Sequence, residues 1–121
     1  MILAFAAALA FAHADLPPAP MEVREAVQMW RDCVFDGLNR RTSLTRRGED
    51  PHALASTILA ECRPQQEAAF TARSQWVEGL DLTPEAQAVV LRRNERDVRS
   101  MHDSIIFRAR RSGSGSEQDW D

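Results

Sequence analysis

Arg46-Arg47-Gly48-Glu49-Asp50-Pro51 is a turn signal between two helical patterns. It also lies midway between the chain's two cysteines, since (33 + 62)/2 = 47.5. If the flanking helices fold back on each other, facing residues have numbers that sum to about 95. Cys33 then meets Cys62, Gly37 meets Ile58, Val27 meets Ala68, Val23 meets Ala72 and Arg41 meets Leu54. Helix axes about 8–10 Å apart, less two Cα radii of about 2.3 Å, leave roughly 3.4–5.4 Å between facing Cα atoms. A disulfide needs roughly 4.4–6.8 Å, so the two ranges overlap. The expectation is a Cys33–Cys62 bond that staples the first two helices. In the chain-entropy model the closed loop contributes about 3.6 kcal/mol.

The first helix is expected from about Met21 to about Arg40. Val23, Ala26, Val27, Trp30, Cys33, Val34 and Gly37 recur at three- and four-residue steps, which makes one apolar stripe. Glu22 and Glu25 suit the positive end of its dipole. The second helix opens with Asp50 as N-cap and Pro51 in the first turn. Its stripe is Leu54, Ile58, Cys62, Ala69, Ala72 or Arg73, Trp76 and Leu80. Pro64 removes a backbone donor and pushes Arg63 away from helical geometry, so a kink or short break is expected just after Cys62. Gly79 marks the end.

The third helix starts at Thr83-Pro84-Glu85, an N-cap followed by a first-turn proline and an acid. Its stripe is Ala86, Val90, Leu91, Val98, Met101 and Ile105, with Asn94 as a polar gap. Arg108, Arg110 and Arg111 crowd its end, where cations oppose the negative dipole. Ser112-Gly113-Ser114-Gly115-Ser116 reads as the start of a flexible tail over residues 112–121. No segment shows sustained strand alternation, and no internal repeat is evident. The fold class is therefore all-α: a three-helix antiparallel bundle or an extended helical hairpin over residues 21–111.

Ile2–Ala12 is an unbroken apolar run that ends in Ala12-His13-Ala14. This is the pattern of an export signal, with cleavage expected between Ala14 and Asp15. No Arg or Lys precedes the run, so either the true start lies upstream or the α-amino group alone supplies the positive charge. A helix over Met1–Ala12 would be about 18 Å long, too short for roughly 30 Å of hydrocarbon. Stable membrane insertion after cleavage is not expected. Residues 15–20 form a proline-rich spacer, and the mature chain of 121 − 14 = 107 residues suffices for one modest core. Export to the periplasm or beyond places the cysteines where disulfides form.

The composition is that of a soluble globular domain, 44% hydrophobic and 27% charged, with a net charge of −3. A negative chain has no general pull toward nucleic acid, and none is expected as a partner. All fifteen cationic side chains are Arg. Arg92–Arg111 holds seven Arg against Glu95, Asp97 and Asp103, a local excess of 7 − 3 = +4. That excess would suit an anionic partner, or it is a solvated helix face balanced by the acidic Asp15–Asp36 segment, the preferred reading. Glu95, Arg96, Asp97 and Arg99 read as solvated charge patterning.

Catalytic grammar is missing. There is no G-x-S-x-G, no Gly-rich phosphate loop and no C-x-x-C. His52 and His102 have no second His or Cys at ligand spacing on their own helix, so no metal or cofactor is expected. Trp30 and Trp76 sit on apolar stripes and are expected in a core or interface, and Trp120 in the tail is expected to be idle.

Leu82-Thr83-Pro84-Glu85-Ala86-Gln87 resembles the L-T-x-x-Q motif of the Spy/CpxP family of periplasmic stress proteins. Glutamine falls at 87, one place late, and Leu44-Thr45 lacks the glutamine that a second copy would need. The resemblance covers about six residues and implies an exported α-helical hairpin dimer acting as a chaperone or sensor regulator. The sequence reading is thus an exported, disulfide-stapled helical protein with a binding or structural role and no catalysis. Its partner is an unidentified protein or a second copy. The different-class alternative is a cytosolic Arg-rich helical protein that binds an anionic partner.

Overall fold

The structure is a computed structural model. It describes the backbone of residues 16–44 and 50–118, and the side chains of residues 16–41 and 50–111. The expected signal over 1–14, the Ala14–Asp15 cleavage site, most of the central turn and Trp120 lie outside the described residues. Four helices follow in order: α1 Met21–Leu44, α2 Pro51–Glu61, α3 Arg63–Glu78 and α4 Pro84–Gln118. No strand occurs among the described residues, so the chain is all-α.

The helix starts are those the sequence encodes. The Pro20 carbonyl accepts from the Val23 and Arg24 amides at 3.1 Å and opens α1. Asp50 Oδ1 accepts from the His52 amide at 3.2 Å and caps α2. Thr83 Oγ1 accepts from the Ala86 amide at 3.2 Å and caps α4. Gly79 ends α3 with φ −76° and ψ −11°, a right-handed conformation. It therefore stops the helix without the left-handed cap that glycine usually supplies.

The expected break near Pro64 divides the second helical pattern into α2 and α3 and turns three helices into four. It falls on Cys62, with φ −95° and ψ 15°, rather than on Arg63, which is the first residue of α3. The reason is local. Pro64 cannot donate to the Ala60 carbonyl, so the ladder of α2 ends with the ordinary bond from the Cys62 amide to the Ile58 carbonyl at 3.1 Å. Pro64 then sits in the first turn of α3, where its missing donor costs nothing.

That break redirects the chain. α1 packs mainly along α3, while α2 packs mainly along α4. The expected hairpin register holds at the cysteines and at Gly37, where a Cβ would lie 3.4 Å from Ile58 Cγ2. Elsewhere it drifts: Trp30 meets Phe70, and Arg41 pairs with Glu61 rather than lying opposite Leu54. The sums there are 100 and 102, against 95 at the cysteines.

The main core lies where all four helices meet. Trp30, Val34 and Leu38 come from α1, Ala55 and Ile58 from α2, and Met101, Ile105 and Ile106 from α4. Each large apolar side chain buried there stabilises the fold by roughly 1.5–3 kcal/mol. Trp30 and Phe70 meet edge-to-face at 5.4 Å. A thinner set, Val23, Val77, Ala86 and Val90, is buried toward the other end of the bundle, outside that main cluster.

Two boundaries lie beyond their expected positions. α1 continues past Arg40 to Leu44, and α4 runs past Arg111 to Gln118. The second extension crosses Gly113 and Gly115, where a flexible tail was the expectation. Glycine costs about 1 kcal/mol per residue in a helix, but extending an existing helix requires no new nucleus and no proline intervenes.

Candidate functional site

Cys33 and Cys62 are bonded, with their Cα atoms 5.9 Å apart. Cys33 is on α1 and half-buried, and Cys62 is the buried junction of α2 and α3. The bond therefore ties the first helix to the point where the second pattern breaks. No free cysteine occurs among the described residues.

Asn94, the polar gap in the α4 stripe, has a specific partner. Arg73 of α3 is 8% exposed and donates from Nη1 to Asn94 Oδ1 at 2.6 Å and from Nη2 to Asp97 Oδ2 at 2.8 Å. Asp97 is thus part of a half-buried ion pair, not of the solvated pattern the sequence suggests. A buried guanidinium needs partners of this kind, because an unpaired charge out of water is strongly unfavourable.

Arg73 also forms the floor of a cleft of about 370 Å³ between α1, α3 and α4. α1 contributes Arg24, Gln28 and Arg31, a run at four- and three-residue steps that shares one helix face. Val23 and Val27 beside them make an apolar wall, and Ala19 closes the end. Trp76 stands one turn from Arg73 on α3, and Arg93 comes from α4. Four guanidiniums from three helices therefore surround one apolar-walled hollow, and no carboxylate is among its lining residues. Arg73 is already committed to Asp97. Arg24, Arg31 and Arg93 are exposed, and their guanidiniums have no ion pair or hydrogen bond among the described residues.

The Arg-rich stretch of α4 behaves differently. Arg96, Arg99, Ser100, Asp103, Ser104, Phe107 and Arg108 border a wide, open surface groove of about 610 Å³. Arg108 lies over the Phe35 ring at 4.6 Å, and Asp103 puts a negative charge in the groove. All seven of these residues belong to α4, so the groove encloses little.

His52 and His102 lie on different helices, yet their rings are 5.7 Å apart. His102 Nδ1 is 3.5 Å from Asp103 Oδ1. No group of three or more His, Cys, Asp or Glu that could hold a metal ion occurs among the described residues.

The cleft was not singled out in the sequence. Its one local signal is the Arg24, Gln28, Arg31 spacing on α1. Arg73, Trp76 and Arg93 are distant in sequence and join it only in the fold. No family model, curated protein or solved structure matches the chain.

Proposed function

We propose that this chain is a small exported helical protein, stapled by one disulfide, that works by binding rather than by catalysis. The observation that carries the reading is the Cys33–Cys62 bond. Disulfides persist in oxidising compartments and are rare in a reducing cytosol. The apolar run and small-x-small site over residues 1–14 supply an export signal that agrees with it. No helix among the described residues is long and apolar enough to cross a membrane. The binding half of the reading draws on the three-helix cleft, which offers cationic side chains and an apolar wall but no nucleophile–base pair among its lining residues.

A chaperone-like version is favoured by one surface feature. Met21, Met29 and Phe107 are each more than 60% exposed, and flexible methionines suit varied apolar clients.

Intact mass of the protein taken from fractionated cells tests the reading. The expected species begins at Asp15, lies outside the cytosol and is lighter by two hydrogens than the reduced chain. A full-length, reduced chain in the cytosol overturns it and favours the cytosolic anion-binding alternative.

A further inference from the structure

We propose that the cleft between α1, α3 and α4 binds a phosphate monoester carried on an apolar body. The claim rests on the binding half of the proposed function and not on export, so an affinity measurement and the mass measurement can fail independently.

Charge selects the head group. Arg24, Arg31 and Arg93 stand around the cleft with no anion committed to them among the described residues, and Arg73, whose charge Asp97 balances, adds a buried guanidinium to the lining. A monocarboxylate satisfies one guanidinium fork and leaves the others uncompensated. A phosphate monoester carries nearly two negative charges at neutral pH and three acceptor oxygens, so it can engage forks from two or three helices together.

Shape selects the body. Val23, Val27 and Trp76 line the same hollow as the arginines, so an inorganic ion would leave an apolar wall against water. The volume of about 370 Å³ suits a small molecule. A nucleic acid strand needs a longer cationic track than one hollow bounded by three helices, and the chain's net charge of −3 works against a polyanion.

Arg73 acts here as a positioning residue. Its two hydrogen bonds to α4 hold the guanidinium at the base of the cleft and fix α3 against α4, which sets the gap that Trp76 and Arg93 border. The ligand-binding work falls to Arg31 and Arg93, which approach from opposite helices.

Isothermal titration of the full, oxidised chain with phenyl phosphate tests the site. The expected result is saturable one-site binding, weakened about tenfold by Arg31→Gln and again by Arg93→Gln. Both residues are exposed, so thermal melts of the variants should match the parent. Arg99→Gln, on the outer face of α4, should leave the affinity unchanged. Inorganic phosphate and benzyl alcohol should each bind at least about tenfold more weakly than phenyl phosphate.

No saturable binding at millimolar concentrations overturns the proposal, as does equal affinity in the double variant or equal affinity for inorganic phosphate. A second arm separates the sources of the ligand. Co-sedimentation with phosphatidic acid vesicles that is lost in the double variant assigns the site to a lipid headgroup. Phenyl phosphate binding without sedimentation assigns it to a free phosphate ester.

Discussion

The two ends of this bundle are built on different terms. At the cysteine end, Trp30, Val34, Leu38, Ile58 and Ile105 are each no more than 1% exposed, four helices converge, and a covalent bond crosses the core. At the other end the buried apolar set shrinks to Val23, Val77, Ala86 and Val90, and an arginine sits among them. There the helices part enough to leave a cleft with cationic walls. Stability is concentrated at one end, which frees the other to hold polar groups that a tight core would exclude. A chain of this size has one modest core, so a staple at its centre lets the opposite end give up packing for a site.

The disulfide carries the largest expected effect. Replacing both cysteines, Cys33→Ala with Cys62→Ala, should cost about 3.6 kcal/mol, read as a lower midpoint in urea unfolding. The affinity of the cleft should survive wherever the variant remains folded. A loss below about 1 kcal/mol would mean that the four-helix core holds without the bond.

Arg73→Met sharpens the other end. It removes both hydrogen bonds to α4 and leaves Asn94 and Asp97 without their partner. Full burial of the orphaned acid would cost several kcal/mol, but the Asp97 side chain is 32% exposed, so about 1–2 kcal/mol is expected. Denaturant unfolding gives the cost, and hydrogen exchange should show faster opening of α3 and α4 near residues 73 and 94–97 than near the cysteines. Uniform acceleration over the whole bundle would deny that the two ends differ.

The smallest effect concerns Gly37, the close contact between α1 and α2. A Cβ there would meet Ile58 Cγ2 at 3.4 Å, an ordinary contact distance. Gly37→Ala should therefore stabilise by about 0.5–1 kcal/mol through helix propensity, read as a higher melting temperature. A lower one would show that the stapled end has no room even for a methyl group.

Much of the frame was legible along the chain because it is local chemistry. Asp50 and Thr83 cap helices where the sequence places caps, and Pro64 breaks the helix beside Cys62. The stripes that carry Trp30, Ile58, Val90 and Ile105 face the interior as their spacing requires. The cysteine pair was legible because a short turn between two helices fixes which positions face each other. Other features were not. Leu38, Ala55, Val77 and Ile106 are buried beside the expected stripes, since packing among four helices widens the covered face beyond what one hairpin would cover.

The candidate site shows where linear reading ends. Along the sequence Arg73 and Ala72 fit the stripe equally well, and Asp97 matches a surface charge pattern. Their pairing depends on how α3 crosses α4, and that crossing follows from α2 leaving α1 for α4 at Cys62. The helices, their caps, the break and the disulfide follow from local sequence, because each depends on residues a turn or a hairpin apart. The packing of α2 on α4, and the meeting of Arg24, Arg31, Arg73 and Arg93 in one cleft, arise in the folded chain alone. Those outcomes depend on interhelical packing, to which side chains from distant parts of the chain contribute at once.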